Sequence, residues 1–331
     1  MAAMRKFVLA LAIALCLCLP VAAETESNIS SNSFQTWLQE VGEEAVQDGI
    51  SRATVDTALG EVSYDAHVID HDQAQPESTA TFSSYSSHIV STDRVTDGRA
   101  MMRKHAKLLR EISKRYGVQP QVIVALWGIE SNYGRNPGNY STIDSLATLG
   151  YEGRRGAFFR HELLSALHIL DREQMPVSEL RGSWAGAMGQ CQFIPSTYLR
   201  YAVAYDGKSS PDIWDNTADV FASIAHYIAA EGWKDESTWG REVKLMRDVP
   251  EDDIGLDHPR MLAEWGKLGV RNAGGGALPA KALKASLVQP DGLNGRSFLV
   301  YDNFRALMHW NRSTYFAASV GMLADKIKAG K

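Results

Sequence analysis

Glu130 is the residue around which chemistry can be read. It lies near the end of Val122-Ile123-Val124-Ala125-Leu126-Trp127-Gly128-Ile129-Glu130-Ser131-Asn132-Tyr133-Gly134, an apolar run that begins just after Pro120. Proline suits the first turn of a helix, and the glycine punctuates its end. Ile123, Leu126 and Trp127 precede Glu130 by seven, four and three positions, so a helix puts all four on one face. A carboxylate at the end of an apolar stripe is poorly solvated, and desolvation raises its pKa towards the range a general acid needs. The alternative is a glutamate that turns into water at a helix end, and this stretch alone does not decide between them.

A second stretch, Gly182-Ser183-Trp184-Ala185-Gly186-Ala187-Met188-Gly189-Gln190-Cys191-Gln192-Phe193, surrounds Trp184 and Met188 with small residues. Backbone can approach backbone or ligand closely there. The nine histidines show no ligand-like spacing: His161 and His168 are seven apart, and His67 and His71 fall in a polar segment. Nothing resembles a phosphate-binding glycine loop.

The elements that must position these residues read mainly as helices. Phe34, Trp37, Leu38, Val41, Ala45 and Val46 recur at helical spacing up to Ile50, after a Ser/Asn-rich lead-in over 24–33. Ser51 caps a short helix through Leu59, and residues 63–92 read as an extended polar connection around Tyr85. Met102, Ala106, Leu109, Ile112 and Tyr116 form the stripe of a helix over 99–116, and further helices are expected over 158–170, 219–232 and 304–328. Residues 242–245, 285–288 and 297–301 are short β-like runs between turn residues. The expected division is a leader over 1–23, an N-terminal helical segment and connection over 24–98, and a catalytic core over 99–239. A small β-containing subdomain over 240–302 and a C-terminal helix over 303–331 complete it.

Arg5 and Lys6, the apolar run from Phe7 to Leu19 and the small residues of Pro20-Val21-Ala22-Ala23 predict a secretory signal peptide cleaved before Glu24. Cys16 and Cys18 follow Leu15 and Leu17, where a lipidation signal wants a small residue, so no lipid or other membrane anchor is expected. Loss of Arg5 and Lys6 leaves 32 basic against 39 acidic residues, a charge of about −7 that argues against a nucleic-acid partner. Only Cys191 survives, so no intramolecular disulfide forms and stability rests on the core.

In combination the motifs say more than each alone. Glu130-Ser131-x-x-Gly134, then Gly182-x-x-Ala185-Gly186-Ala187-Met188-Gly189-x-x-Gln192-Phe193, then Tyr227, resemble the B-type membrane-bound lytic transglycosylases of bacterial cell-wall metabolism, glycoside hydrolase family 103. The resemblance runs from about Phe34 to the C-terminus and is dense between Tyr116 and Trp233. It implies a mainly α (α+β) fold, with a lysozyme-like helical core and a small β subdomain. It also implies cleavage of the β-1,4 bond between N-acetylmuramic acid and N-acetylglucosamine without water, to leave a 1,6-anhydro end, and the signal peptide without a lipidation signal makes the expected form a soluble, periplasmic variant. Glu130 would serve as the single acid and base. Peptidoglycan glycan strands are the implied partner, with proteins of cell-wall synthesis or remodelling as further candidates.

The resemblance carries other positions over one by one. Ser183 and Gln192 match polar groups lining the cleft, Tyr227 a cleft tyrosine, and Asn311 an asparagine approaching the acid. Arg154 and Arg155 match a pair that meets substrate carboxylates. Each has a plainer reading: Ser183 as a helix cap, Tyr227 as a core aromatic with a satisfied hydroxyl, and the arginines as solvated surface charge. Trp310 stands where the family often has tyrosine and can stack on a sugar face, and Phe316 replaces a further tyrosine. Cys191, where glycine is common, reads as a small buried hydrophobe. At 204–215 many relatives carry an EF-hand-like loop. With Ala204 at its first position, only Asp206 keeps a ligand position, while Lys208 and Ser209 fall at positions five and six. No calcium and no other cofactor is expected. A water-using muramidase on the same scaffold is one alternative, and a weakly catalytic peptidoglycan-binding scaffold is another.

Overall fold

In a computed structural model of the chain, residues 21–74, 81–293 and 295–329 are described, with side chains from residue 33 onward. The expected signal peptide therefore lies, up to residue 20, outside the described residues. Along the chain, α1 (Val21–Gln47) and α2 (Arg52–Leu59) lead to α3 (Ala66–Gln73), α4 (Phe82–Ile89), α5 (Thr92–Lys104) and α6 (Ala106–Tyr116). Next come α7 (Pro120–Ser131), β1 (Tyr140–Ser141), α8 (Thr142–Glu152), α9 (Gly156–Glu173), β2 (Arg181–Gly182), α10 (Pro195–Tyr201) and α11 (Thr217–Ala230). Strands β3 (Gly240–Leu245), β4 (Arg260–Met261), β5 (Val270–Asn272), β6 (Lys284–Val288) and β7 (Ser297–Val300), with α12 (Leu262–Lys267), precede α13 (Asp302–Trp310) and α14 (Thr314–Lys328). The fold is mostly helical with a small antiparallel sheet, the mainly α arrangement expected.

The body is built round α7. Every residue from Val122 to Gly128 is buried, as expected of a helix apolar on all sides. It is enclosed by α5, α6, α11 and α14, while α1 to α3 pack on the α8–α9 pair. The five strands run antiparallel in the order β4-β6-β7-β3-β5. Side chains alternate across β7: Phe298 and Val300 join the main core, whereas Leu299 joins a second core with Leu287, Trp265 and Val243.

Several expectations need correction. Residues 24–33 belong to α1 rather than to a lead-in, for they hold no proline or glycine to stop a helix already running from Phe34. The expected extended connection at 63–92 contains α3 and α4, two-turn helices whose first turns are capped by Asp65 and Thr81. Strands β4 and β5 and helix α12 lie in segments that carried no β or helical assignment. The helix over 99–116 is interrupted at His105. The C-terminal helix is also two. Asn311 is extended, and Ser313 caps α14 by accepting from the Phe316 N–H.

Trp239 joins the sheet to the helical body: its Nε1 donates to Asp325 Oδ2 at 3.0 Å, and its ring packs against Phe298 and Phe304. Gly321 of α14 faces it so closely that a Cβ would overlap the indole. Helix propensity alone would make Gly321→Ala stabilising by about 1 kcal/mol. Here a buried, hydrogen-bonded indole cannot yield, so the substitution is expected to destabilise by about 1–3 kcal/mol. Thermal and urea unfolding check the sign.

Candidate active site

Glu130 occupies the last turn of α7. Three consecutive left-handed residues follow it: Asn132 (φ 51°), Tyr133 (φ 60°) and Gly134 (φ 80°). Tyrosine in that region is strained by about 1–2 kcal/mol, and its ring shows what holds it there. Tyr133 is buried, its hydroxyl donates to the Arg94 carbonyl at 2.6 Å, and its face meets Trp127 edge-on. Gly128 makes room for the ring, since a Cβ there would stand 2.5 Å from it. Ser131 ties the turn down, with its Oγ donating to the Trp127 carbonyl and accepting from the Gly134 N–H. Gly134 in turn lets the amide of Gln190 approach, and Gln190 Oε1 accepts from Trp127 Nε1 at 2.8 Å.

The Glu130 side chain is half-buried, with protein packed closely round its carboxyl. Desolvation pushes its pKa up to about 7, against a smaller downward pull from the Trp310 indole N–H. That indole donates to Glu130 Oε1 at 2.6 Å. Trp310 closes α13, wedged between Phe193 at 5.3 Å and Tyr227 at 4.8 Å between ring centroids. The Tyr227 hydroxyl donates to the His309 carbonyl at 2.8 Å, so this tyrosine holds the end of α13 in place. His309 pairs with Glu231, which also accepts from the Tyr201 hydroxyl.

The residues expected at the site divide into two groups. Glu130, Trp310 and Tyr227 come together directly, and Phe193 brings the Gln192 backbone beside them. Gln192 is itself left-handed (φ 51°), and its amide donates to the carbonyls of Pro137 and Gly189 at 2.9 Å. Ser183 Oγ accepts from the Ala187 N–H at 3.1 Å, shaping the small-residue turn. Asn311 is exposed and its Oδ1 accepts from the Ser313 N–H, so its neighbour Trp310 is the one that meets the acid. Arg154 is bound to Asp72 of α3, and Arg155 lies over the Phe158 and Phe159 rings. Phe316 and Cys191 are buried, and burial pushes the Cys191 thiol up.

Two contributors escaped the motif reading. Gln190 sits two residues before Gln192, yet it is the one locked into the α7 turn. Tyr85, a lone aromatic in a polar stretch, lies close enough to feel the Glu130 charge, which adds to burial in raising its phenol. It packs at a tilt against Tyr315, with ring centroids 5.7 Å apart, and Tyr315 donates to Asp291, whose carboxylate also receives the Phe82 and Ser83 N–H groups at the start of α4. The β6–β7 turn therefore fixes the helix that carries Tyr85.

At 204–215 the carboxylates serve the backbone. Asp206 accepts from the Lys208 and Ser209 N–H groups, Asp212 from those of Trp214 and Asp215, and buried Asp219 from those of Tyr205 and Asp212. Among the described residues no group of three or more metal-ligating side chains converges.

The pattern of the transglycosylase SLT domain matches residues 33–325. Membrane-bound lytic murein transglycosylase B of Escherichia coli is 31% identical over 251 residues, which is 73% of this chain and 66% of that protein's length. Two crystal structures of SltB3 from Pseudomonas aeruginosa are each 42% identical to it. The complex with NAG-anhNAM-pentapeptide has a TM-score of 0.85 and covers 89% of this chain and 79% of that one. The complex with NAG-NAM-pentapeptide has a TM-score of 0.86, with coverage of 90% and 80%. The domain match spans both the α7 turn that holds Glu130 and the α13 end that meets it, and on that match the chain belongs to the transglycosylase SLT domain family.

Proposed function

We propose that the protein is a lytic transglycosylase of peptidoglycan, acting in the periplasm, with Glu130 as its single general acid and base. The observation that carries this reading is the isolation of Glu130. Its ionisation is governed by burial and by the Trp310 N–H, and among the described residues no second carboxylate acts on it. Hydrolases with two carboxylates hold them about 5–9.5 Å apart, a distance at which each charge would be felt by the other. A lone carboxyl near pH 7 suits a reaction in which the substrate supplies its own nucleophile. The names of the E. coli relative and of the SltB3 ligands point the same way.

In this reaction the neutral Glu130 protonates the glycosidic oxygen as the bond to C1 of N-acetylmuramic acid breaks. The carboxylate then takes the proton of the C6 hydroxyl while that oxygen bonds to C1. One proton leaves Glu130 and one returns, and no water is consumed. Trp310 donates to Oε1, so the proton to be transferred resides on the other oxygen. Phe193, Tyr227 and Trp310 line the approach with aromatic surface, and Tyr227 serves as a positioning residue through His309. Ser183 and Gln192 present the small-residue turn to the glycan. The muramidase alternative needs a water-activating group, and among the described residues no second carboxylate acts on Glu130.

Mass spectrometry of products from purified peptidoglycan is expected to show 1,6-anhydro ends with the wild type. Glu130→Gln should be slower by at least about a hundredfold; products one water heavier would replace this reading with the muramidase. Activity should fall as pH rises through about 7, because the starting proton is lost. Trp310→Phe keeps a ring but removes the N–H that favours the carboxylate, so the alkaline limb should move upward by about half to one pH unit. A limb that stays or moves down counts against the indole's role. We further infer that the loop at 204–215 takes no calcium, because its carboxylates are engaged by backbone N–H groups and Lys208 adds a positive charge. Millimolar-range Ca²⁺ should leave Tm unchanged, whereas a clear rise would restore a binding site.

A further inference from the structure

Far from Glu130, α5 and α6 carry a row of cations that the proposed reaction does not use. Residues 99–116 hold seven basic side chains and one acidic one, in a chain whose net charge is −5. Arg99 and Arg103 of α5 and Arg110 of α6 line one groove, and within α6 Lys107, Arg110 and Lys114 are spaced three and four apart and so share a face. Arg103, Lys107, Arg110 and Lys114 are exposed, and among the described residues none has an ion-pair or hydrogen-bond partner. Arg99 is half-buried and donates to the Lys326 carbonyl, which draws the basic end of α14 alongside. The lone acid, Glu111, accepts from the Tyr205 hydroxyl and turns away from the row.

The row borders a groove of about 420 Å³ whose floor is Met102, Leu109 and Ile327 and whose rim is Arg99, Arg103 and Arg110. Pro120, at the start of α7, closes one end of it. Glu130 stands ten residues further along the same helix, roughly 15 Å away. Guanidinium groups pair with phosphate oxygens through two parallel hydrogen bonds, and an apolar floor between them suits the glycerol and first methylenes beneath a phosphate.

We propose that the α5–α6 face docks the protein peripherally on an anionic phospholipid surface, with lipid phosphates against Arg99, Arg103 and Arg110. The spacing favours a membrane over an acidic protein. The cations extend over two successive helices with no interspersed carboxylate on the row, a match for a surface of continuous charge. The remainder of the molecule is acidic and would be repelled by such a surface, so the protein would settle on this face alone.

Co-sedimentation of the purified protein with phosphatidylglycerol–phosphatidylcholine vesicles tests this, with pure phosphatidylcholine vesicles alongside. Binding to the anionic vesicles is expected to be at least about tenfold stronger at about 50 mM salt and to be lost at about 0.5 M, where the Debye length shrinks several-fold. Arg103→Glu with Arg110→Glu should weaken it by about tenfold or more while activity on purified peptidoglycan is unchanged. Lys281→Glu with Lys284→Glu, an equal charge change at two exposed positions of the sheet subdomain, should leave vesicle binding within about twofold. Arg103→Gln with Arg110→Gln gives a milder loss in the same direction and covers a failure of the reversal to fold. No preference for anionic vesicles, equal losses from both reversals, or binding to polyglutamate but not to vesicles would each overturn the proposal.

Discussion

A carboxyl held out of water at the end of an apolar helix is the constraint on which the rest of this structure depends. Ionised, Glu130 lies in the last turn of α7, where unpaired carbonyls repel negative charge, and close packing strips away its hydration. Both effects favour the neutral acid. The folded protein carries a cost for this that can be signed. A carboxyl with an ordinary pKa of 4.5 in the unfolded chain and about 7 in the native state binds its proton more tightly when folded. Stability is therefore highest below pH 4.5 as far as this group is concerned and falls as pH rises from there to about 7, by roughly 3 kcal/mol. The surrounding structure must supply that energy. The left-handed run after Glu130 adds to the demand, and the Tyr133 ring, the Gly128 recess and the Gln190–Trp127 hydrogen bond answer it locally.

Trp310 links this local device to the fold as a whole. Its N–H reaches Glu130 only because α13 stops where it does, and α13 stops because Asn311 is extended and Ser313 caps the next helix. Tyr227 grips the carbonyl before Trp310, while Glu231 and Tyr201 steady His309. On the other side the β6–β7 turn reaches over to α4 through Asp291 and so sets Tyr85. The sheet, remote from the acid in sequence, thus takes part in shaping its surroundings.

What was legible in the sequence follows from this arrangement. Helix α7 could be read because an uninterrupted apolar run needs no tertiary context to be recognised as buried. Glu130 stood out because its face was apolar, although its protonation could be argued only once the packing was visible. Helices α3 and α4 were missed because each is two turns long and polar, and each is stabilised by a cap and by distant partners. For α4 the partner is Asp291, more than two hundred positions away. The C-terminal region looked like one helix because Asn311 and Ser313 break it by side-chain hydrogen bonds, which leave little trace in hydrophobic periodicity. Arg154 has a partner that no spacing rule would have placed beside it: it donates to Asp72 of α3.

The same geometry bears on how one carboxyl can do the work usually divided between two. A group that first gives and then takes a proton is most effective when its pKa lies near the working pH, since neither state is then scarce. A second carboxylate beside Glu130 would hold the first protonated and hinder its return to the charged form. An indole N–H acts in the opposite sense and more mildly. It stabilises the carboxylate without supplying a proton of its own, because the indole does not ionise near neutral pH, and it engages one oxygen so that the other must carry the proton. Tyrosine at this position could donate the same bond, but its hydroxyl can also accept a proton-bearing partner. With Trp310 in that place the direction of the hydrogen bond is not open to choice, and the two states of Glu130 differ only in the proton that the proposed reaction moves.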